Sequence, residues 1–150
     1  MIPALTDEGL LPPGIHEGTV EELREKLGWS QQRRRLISGL ERALELMGNC
    51  GVERVYLDGS FVTDKDRPGD IDGCYDVAQG ANPADLQAMY PIFPPTPPNR
   101  NRAKEELGVE FFPAATVERG SGQPFLDFFR RDRKNRERGV VLIQLAGEAQ

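Results

Sequence analysis

One histidine, two cysteines and no long apolar run bound what this chain of 150 residues is able to be. A lone His16 cannot build a histidine-based zinc site, and with no nucleophile elbow beside it a serine-hydrolase triad is not expected. Its expected place is packed or hydrogen-bonded beside the Pro12-Pro13-Gly14 turn. Cys50 and Cys74 have no CxxC spacing, so they read as free thiols of a reducing compartment. No stretch approaches the roughly 20 apolar residues of a membrane span. The first residues lack a basic start and an apolar run, so no signal peptide is expected and the reading is cytoplasmic. Neither a Walker A sequence nor GxGxxG occurs. Positive charge is also short: Lys and Arg number 19 against 24 Asp and Glu, a net charge of -5. That argues against general binding to DNA, while leaving room for a local basic patch.

A hydrophobic fraction of 38% with Gly 16 and Pro 12 points to a compact core carrying long loops. The length suits a single domain, read as 19–150, preceded by an extended arm at 1–18 in which Pro12-Pro13-Gly14 forces a turned path. Thr19 and Glu22 have capping-box spacing ahead of a helix over 20–27. Ser30 caps a second helix, on which Leu36, Leu40, Ala43, Leu44 and Met47 recur at helical spacing. Strands are predicted at 52–58, 70–77, 109–114 and 140–145. Short helices are predicted at 83–89, 102–107 and 124–131, and prolines break up most of 79–101. The fold class is therefore α/β (α+β), a small mixed β-sheet with packed helices.

The most informative stretch is Tyr56-Leu57-Asp58-Gly59-Ser60-Phe61, followed after a loop by Asp70-Ile71-Asp72. Strand side chains alternate faces, so Asp70 and Asp72 point one way and Ile71 the other. Two neighbouring carboxylates on one face repel each other, unless a cation or a donor cluster lies between them. A Gly-Ser turn nearby is able to offer backbone N–H groups and a hydroxyl to a phosphate. Asp58 and Asp76 read as turn or surface residues.

This arrangement resembles the polymerase-β-like nucleotidyltransferase superfamily, and its small single-domain (minimal) members most closely. The resemblance covers residues 30 to about 114. Three segments, Leu11-Pro12-Pro13-Gly14-Ile15-His16, Tyr56-Leu57-Asp58-Gly59-Ser60-Phe61-Val62 and Gly108-Val109-Glu110-Phe111-Phe112-Pro113, are also similar to an uncharacterised bacterial family of this fold, sometimes found near toxin–antitoxin genes. The resemblance implies that Asp70 and Asp72 bind Mg²⁺, that Glu110 is the third carboxylate, and that Gly59 and Ser60 hold phosphate. Relatives more often carry Asp at the position of Glu110. Many also follow Gly-Ser with an Arg where this chain has Phe61-Val62-Thr63, so Lys65 or Arg67 would have to substitute. The implied function is Mg²⁺-dependent transfer of NMP, AMP first among the choices, from an NTP, ATP first, to a tyrosine or serine of a partner toxin or to the 3′ end of a tRNA. The rival reading is a catalytically weak or inactive, antitoxin-like binding module of the same fold.

Two basic runs complete the reading. Residues 130–138 read either as a solvated helix end or loop, or as a contact for RNA, triphosphate or an acidic partner. Arg33-Arg34-Arg35, set near a helix start against the helix dipole, hints at an external anionic partner. Phe125, Phe128 and Phe129 share one helix face and are expected in the core.

Overall fold

The computed structural model describes residues 1–89, 92–95, 101–114 and 138–145. The predicted helix over 124–131, with its phenylalanines, and most of the basic run at 130–138 lie outside these residues. Five strands, β1 (Gly14–Glu17), β2 (Val52–Asp58), β3 (Ile71–Val77), β4 (Val109–Pro113) and β5 (Gly139–Gln144), form one mixed sheet in the order β1-β5-β2-β3-β4. The two outer pairings are parallel and the two inner ones antiparallel. Among the described residues four helices accompany it: α1 (Val20–Leu27), α2 (Gln31–Asn49), α3 (Pro83–Gln87) and α4 (Arg102–Leu107). The fold class is thus the expected α+β arrangement.

Local chemistry accounts for the helix boundaries. Ser30 accepts from the Arg33 N–H at 3.1 Å and opens α2, whose Ile37, Leu40, Ala43 and Met47 are buried one turn apart. Thr19 accepts from the Glu22 N–H, as its spacing predicts. The Glu22 carboxylate does not return to Thr19, however; it takes the backbone N–H of Ile2 at 3.0 Å and ties the N-terminal segment to α1. Apolar residues of one sheet face, among them Val55, Leu57, Ile71, Val109, Phe111, Val141 and Ile143, join the helices in the main core. Tyr56, Cys74, Ala114 and Val140 form a smaller cluster on the other face. Both cysteines are buried. Among the described residues no helix is long and apolar enough to cross a membrane.

The expected N-terminal arm is instead part of the sheet. Ile2 and Leu11 are core residues, and β1 pairs in parallel with β5. Proline withholds an N–H but not an extended conformation, and the pairing begins on the Leu11 carbonyl, which accepts from Gly139 N–H at 3.1 Å. His16 sits where the sequence placed it, with Nε2 at 2.7 Å from the Pro12 carbonyl.

Arg33 also departs from its reading. It faces no external partner; it is fully buried. Its Nη1 donates to the carbonyls of Leu27 (3.2 Å) and Phe61 (2.7 Å), and its Nη2 to those of Thr63 (2.7 Å) and Lys65 (2.7 Å). The guanidinium lies 3.8 Å from the Trp29 ring centroid and 5.1 Å from that of Phe61. Burial brings its pKa down to about 10, so it stays charged at neutral pH. The charge sits near the start of α2 because these carbonyls, rather than the helix dipole, set its energy. Arg33→Met is expected to lower stability by about 3 kcal/mol or more, because the four carbonyls lose their donor. Lysine cannot reproduce the planar fork, so Arg33→Lys is expected to restore less than half of the loss. Urea denaturation of the three proteins measures both effects.

Candidate functional site

Sheet register assembles the acidic residues. Asp58 at the end of β2 lies directly opposite Asp72 in β3, and Asp72 lies opposite Glu110 in β4. Directly paired residues share a face, so three carboxylates form a row across three strands. Asp70, two residues before Asp72, joins the same face, while Ile71 between them is fully buried in the core. This is the geometry that the Asp-x-Asp alternation predicts. The Gly59–Val62 segment continues β2 as a short 3-10 turn. Gly59 has φ 77, and a Cβ there would lie 2.5 Å from Asp72 Oδ2. Glycine is therefore needed twice over, for the left-handed backbone and for the approach of the Asp72 carboxylate. The turn that carries Gly59 and Ser60 lies against the row.

The row is electrostatically expensive. Burial, and then the charges of Asp70, Glu110 and Asp58, push the Asp72 carboxyl up to about 7. Asp58 is fully buried, and burial pushes it up to about 7 as well, against the pull of Arg138 and of the Gly59 N–H. Arg138 Nη2 donates to Asp58 Oδ2 at 2.9 Å, whereas Asp58 Oδ1 is buried with no hydrogen-bond partner among the described residues. At the other edge Lys104 Nζ lies 3.4 Å from Asp70 Oδ2. Asp70, above all, raises the Lys104 pKa.

Four of the sequence-predicted residues therefore meet in one place: Asp70, Asp72, Glu110 and Gly59, with Ser60 in the same turn. Lys65 and Arg67 do not join them. Both are exposed, and among the described residues no ion pair links either to the row. Lys65 instead lends its backbone carbonyl to Arg33. Three residues were missed. Asp58, read as a turn or surface residue, is a buried member of the row. Arg138, the described end of the basic run, is its partner. Lys104 is the cation beside Asp70. Asp76, given the same reading as Asp58, is half-buried and accepts from the Tyr56 hydroxyl at 2.9 Å and from Arg54 Nε at 3.3 Å.

The donor set is all hard oxygen, which suits Mg²⁺ or a similar divalent ion. Among the described residues, though, no group of three or more His, Cys, Asp or Glu side chains stands ready to hold a metal ion by itself. The carboxylates converge without closing a cage.

A protein-family model described as a family of unknown function, DUF6932, matches residues 3–144. No curated protein and no solved structure matches the chain.

The raised carboxyls have a consequence for stability. Asp58 and Asp72 bind protons more tightly in the folded protein than in the unfolded chain, where a carboxyl titrates near ~3.9. Folding is thus favoured as pH falls from above 7 towards 5, and this gain is absent at pH 8. In chelator, the melting temperature at about pH 5.5 should exceed that at about pH 8 by several degrees, and Asp72→Asn should flatten the difference. A melting temperature that drops steadily on acidification over this range contradicts the arrangement.

Proposed function

The chain belongs to the DUF6932 family, and we propose that it is a Mg²⁺-dependent nucleotidyltransferase of polymerase-β-like type, acting in the cytoplasm. The observation that carries this reading is the row Asp58, Asp72 and Glu110, joined by Asp70 and faced by the Gly59–Ser60 turn. The close approach of the Asp72 carboxylate to Gly59 sets the acids directly beside the backbone of the turn, where a phosphate chain and its counter-ion would meet both. Mg²⁺ usually takes one or two protein carboxylates and completes its shell with water and substrate phosphates, so a closed protein cage is not required. Asp70 and Asp72 would hold it, with Glu110 beside them. Bound there, the ion would neutralise the triphosphate and lower the pKa of an attacking hydroxyl. The repulsion at Asp72, only partly offset by Lys104, and an Asp58 Oδ1 without a partner among the described residues both favour a cation at this place.

The remaining roles fall to the chain itself. Asp72 stands next to Gly59, so the metal-bearing carboxylate and the phosphate-bearing turn are fixed with respect to each other. Arg33 holds the segment that follows the turn, through the carbonyls of Phe61, Thr63 and Lys65. The nucleotide is an NTP, ATP in first place. The acceptor we propose is a hydroxyl of a protein, such as a toxin partner, or of a tRNA end. The Lys104–Asp70 ion pair and the open carboxylate set favour one second reading, a nucleotide-independent binding module that has kept the fold.

Incubation with each labelled NTP, Mg²⁺ and a host lysate separates the two. Label is expected on protein or on RNA; a module would leave it on neither. Asp70→Asn together with Asp72→Asn is expected to abolish Mg²⁺-dependent nucleotide binding in calorimetry. The metal-free protein should become equally or more stable, since clustered repulsion is relieved. Equal nucleotide affinity in the double variant would remove these residues from the site.

A further inference from the structure

Among the described residues two cations bracket the acidic row, and they differ in freedom. Arg138 is 15% exposed and holds a buried carboxylate. Lys104 is 51% exposed and holds Asp70, whose side chain is 13% exposed. The backbone beneath Lys104 is fixed. Gly108, with φ 72, ends α4 and returns its N–H to the Lys104 carbonyl at 3.0 Å. Gly39 of α2 lets α4 approach closely, since a Cβ there would meet the Leu107 carbonyl at 2.0 Å. A firm base with a four-carbon stem and a solvent-facing ammonium is able to change partner without moving the fold.

We propose that Lys104 is the triphosphate-binding cation of this site, and that it exchanges Asp70 for a phosphate oxygen when a metal–nucleotide complex enters. The inference rests on the nucleotidyl-transfer reading and specifies how that site receives its substrate. Lys104 neutralises Asp70, and its field also reaches Asp72 and Glu110. A lone divalent ion would compete with it for the same carboxylate. A nucleotide-borne ion would not have to, because it brings phosphate oxygens for the ammonium to bind. Lys104 thus disfavours bare metal and favours metal with nucleotide. The residues Lys65 and Arg67 are not needed for this role.

This exchange gives opposite signs for two measurements. Titration of the metal-free protein with Mn²⁺, followed by electron paramagnetic resonance, reports on bare metal. Calorimetry with the non-hydrolysable analogue α,β-methylene-ATP in excess Mg²⁺ reports on the nucleotide complex. Lys104→Met is expected to tighten Mn²⁺ binding by about threefold to tenfold and to weaken analogue binding by about tenfold. Lys104→Arg keeps the charge and should hold analogue affinity within about threefold of the wild type. Both affinities unchanged in Lys104→Met, or both moved in the same direction, would overturn the exchange. An Arg variant as weak as the Met variant would overturn a charge role. Wild-type protein that binds neither Mn²⁺ nor the analogue overturns the nucleotidyl-transfer reading itself, and the Lys104 proposal with it. Wild-type binding of both with an indifferent Lys104→Met overturns the Lys104 proposal alone.

Discussion

Four backbone carbonyls, of Leu27, Phe61, Thr63 and Lys65, converge on the guanidinium of Arg33, and the candidate site is arranged around that convergence. The segment leaving the Gly59–Ser60 turn is tied to the sheet's surroundings by a single bridge, Thr63 with Leu10, and by the Asp64 N–H on the Gly9 carbonyl at 2.9 Å, among the described residues. Its polar groups must find donors, and a single buried cation supplies them in a fixed planar pattern. Because Arg33 sits in the first turn of α2, the loop is referred directly to the longest helix. The β2 strand fixes the turn from one side and Arg33 fixes it from the other. The position of Gly59 against Asp72 follows from these two attachments.

The carboxylate row is the opposite kind of feature, a place where the fold is held against its own preference. Two carboxyls are shifted to about 7, and one buried oxygen has no partner among the described residues. A core of similar volume built from apolar residues would be more stable. Departures of this kind gather at functional sites, where activity rather than stability has set the residues. Apolar cross-strand neighbours, such as Val55 opposite Tyr75 and Ile143, provide the stability that the row itself does not.

What was legible in the sequence was local. Asp70 and Asp72 on one face, with Ile71 behind them, follow from the two-residue period of a strand. The caps at Thr19 and Ser30 and the stop at Gly108 follow from turn chemistry. What was not legible was register. Asp58 joins the row because it pairs with Asp72, and no local pattern states that pairing. Arg138 reaches Asp58 from a point 80 residues away in the chain. Arg33 was misread for a related reason: a charge near a helix start looks external until the loop that surrounds it is in place. The four residues of β1 gave too short a pattern to separate a strand from an extended arm, and Pro12-Pro13 favours either. Lys104 carried no signal at all, being one of several charges on a short helix.

The order β1-β5-β2 has a consequence for how the protein is made. The fifth strand is threaded between the first and the second, so the sheet holds a gap until residue 144 has been synthesised and has left the ribosome. Until then β1 has no neighbour, and β2 and β3 form a hairpin with one edge open. The chain must keep those edges apart from other nascent chains while the ribosome adds the rest. Closure pairs Gly14 with Gly139, so the last strand to arrive is also the one with the largest loop to close. The sheet of this domain is therefore completed only once its last strand has emerged, and the speed of translation sets how long the open edges persist.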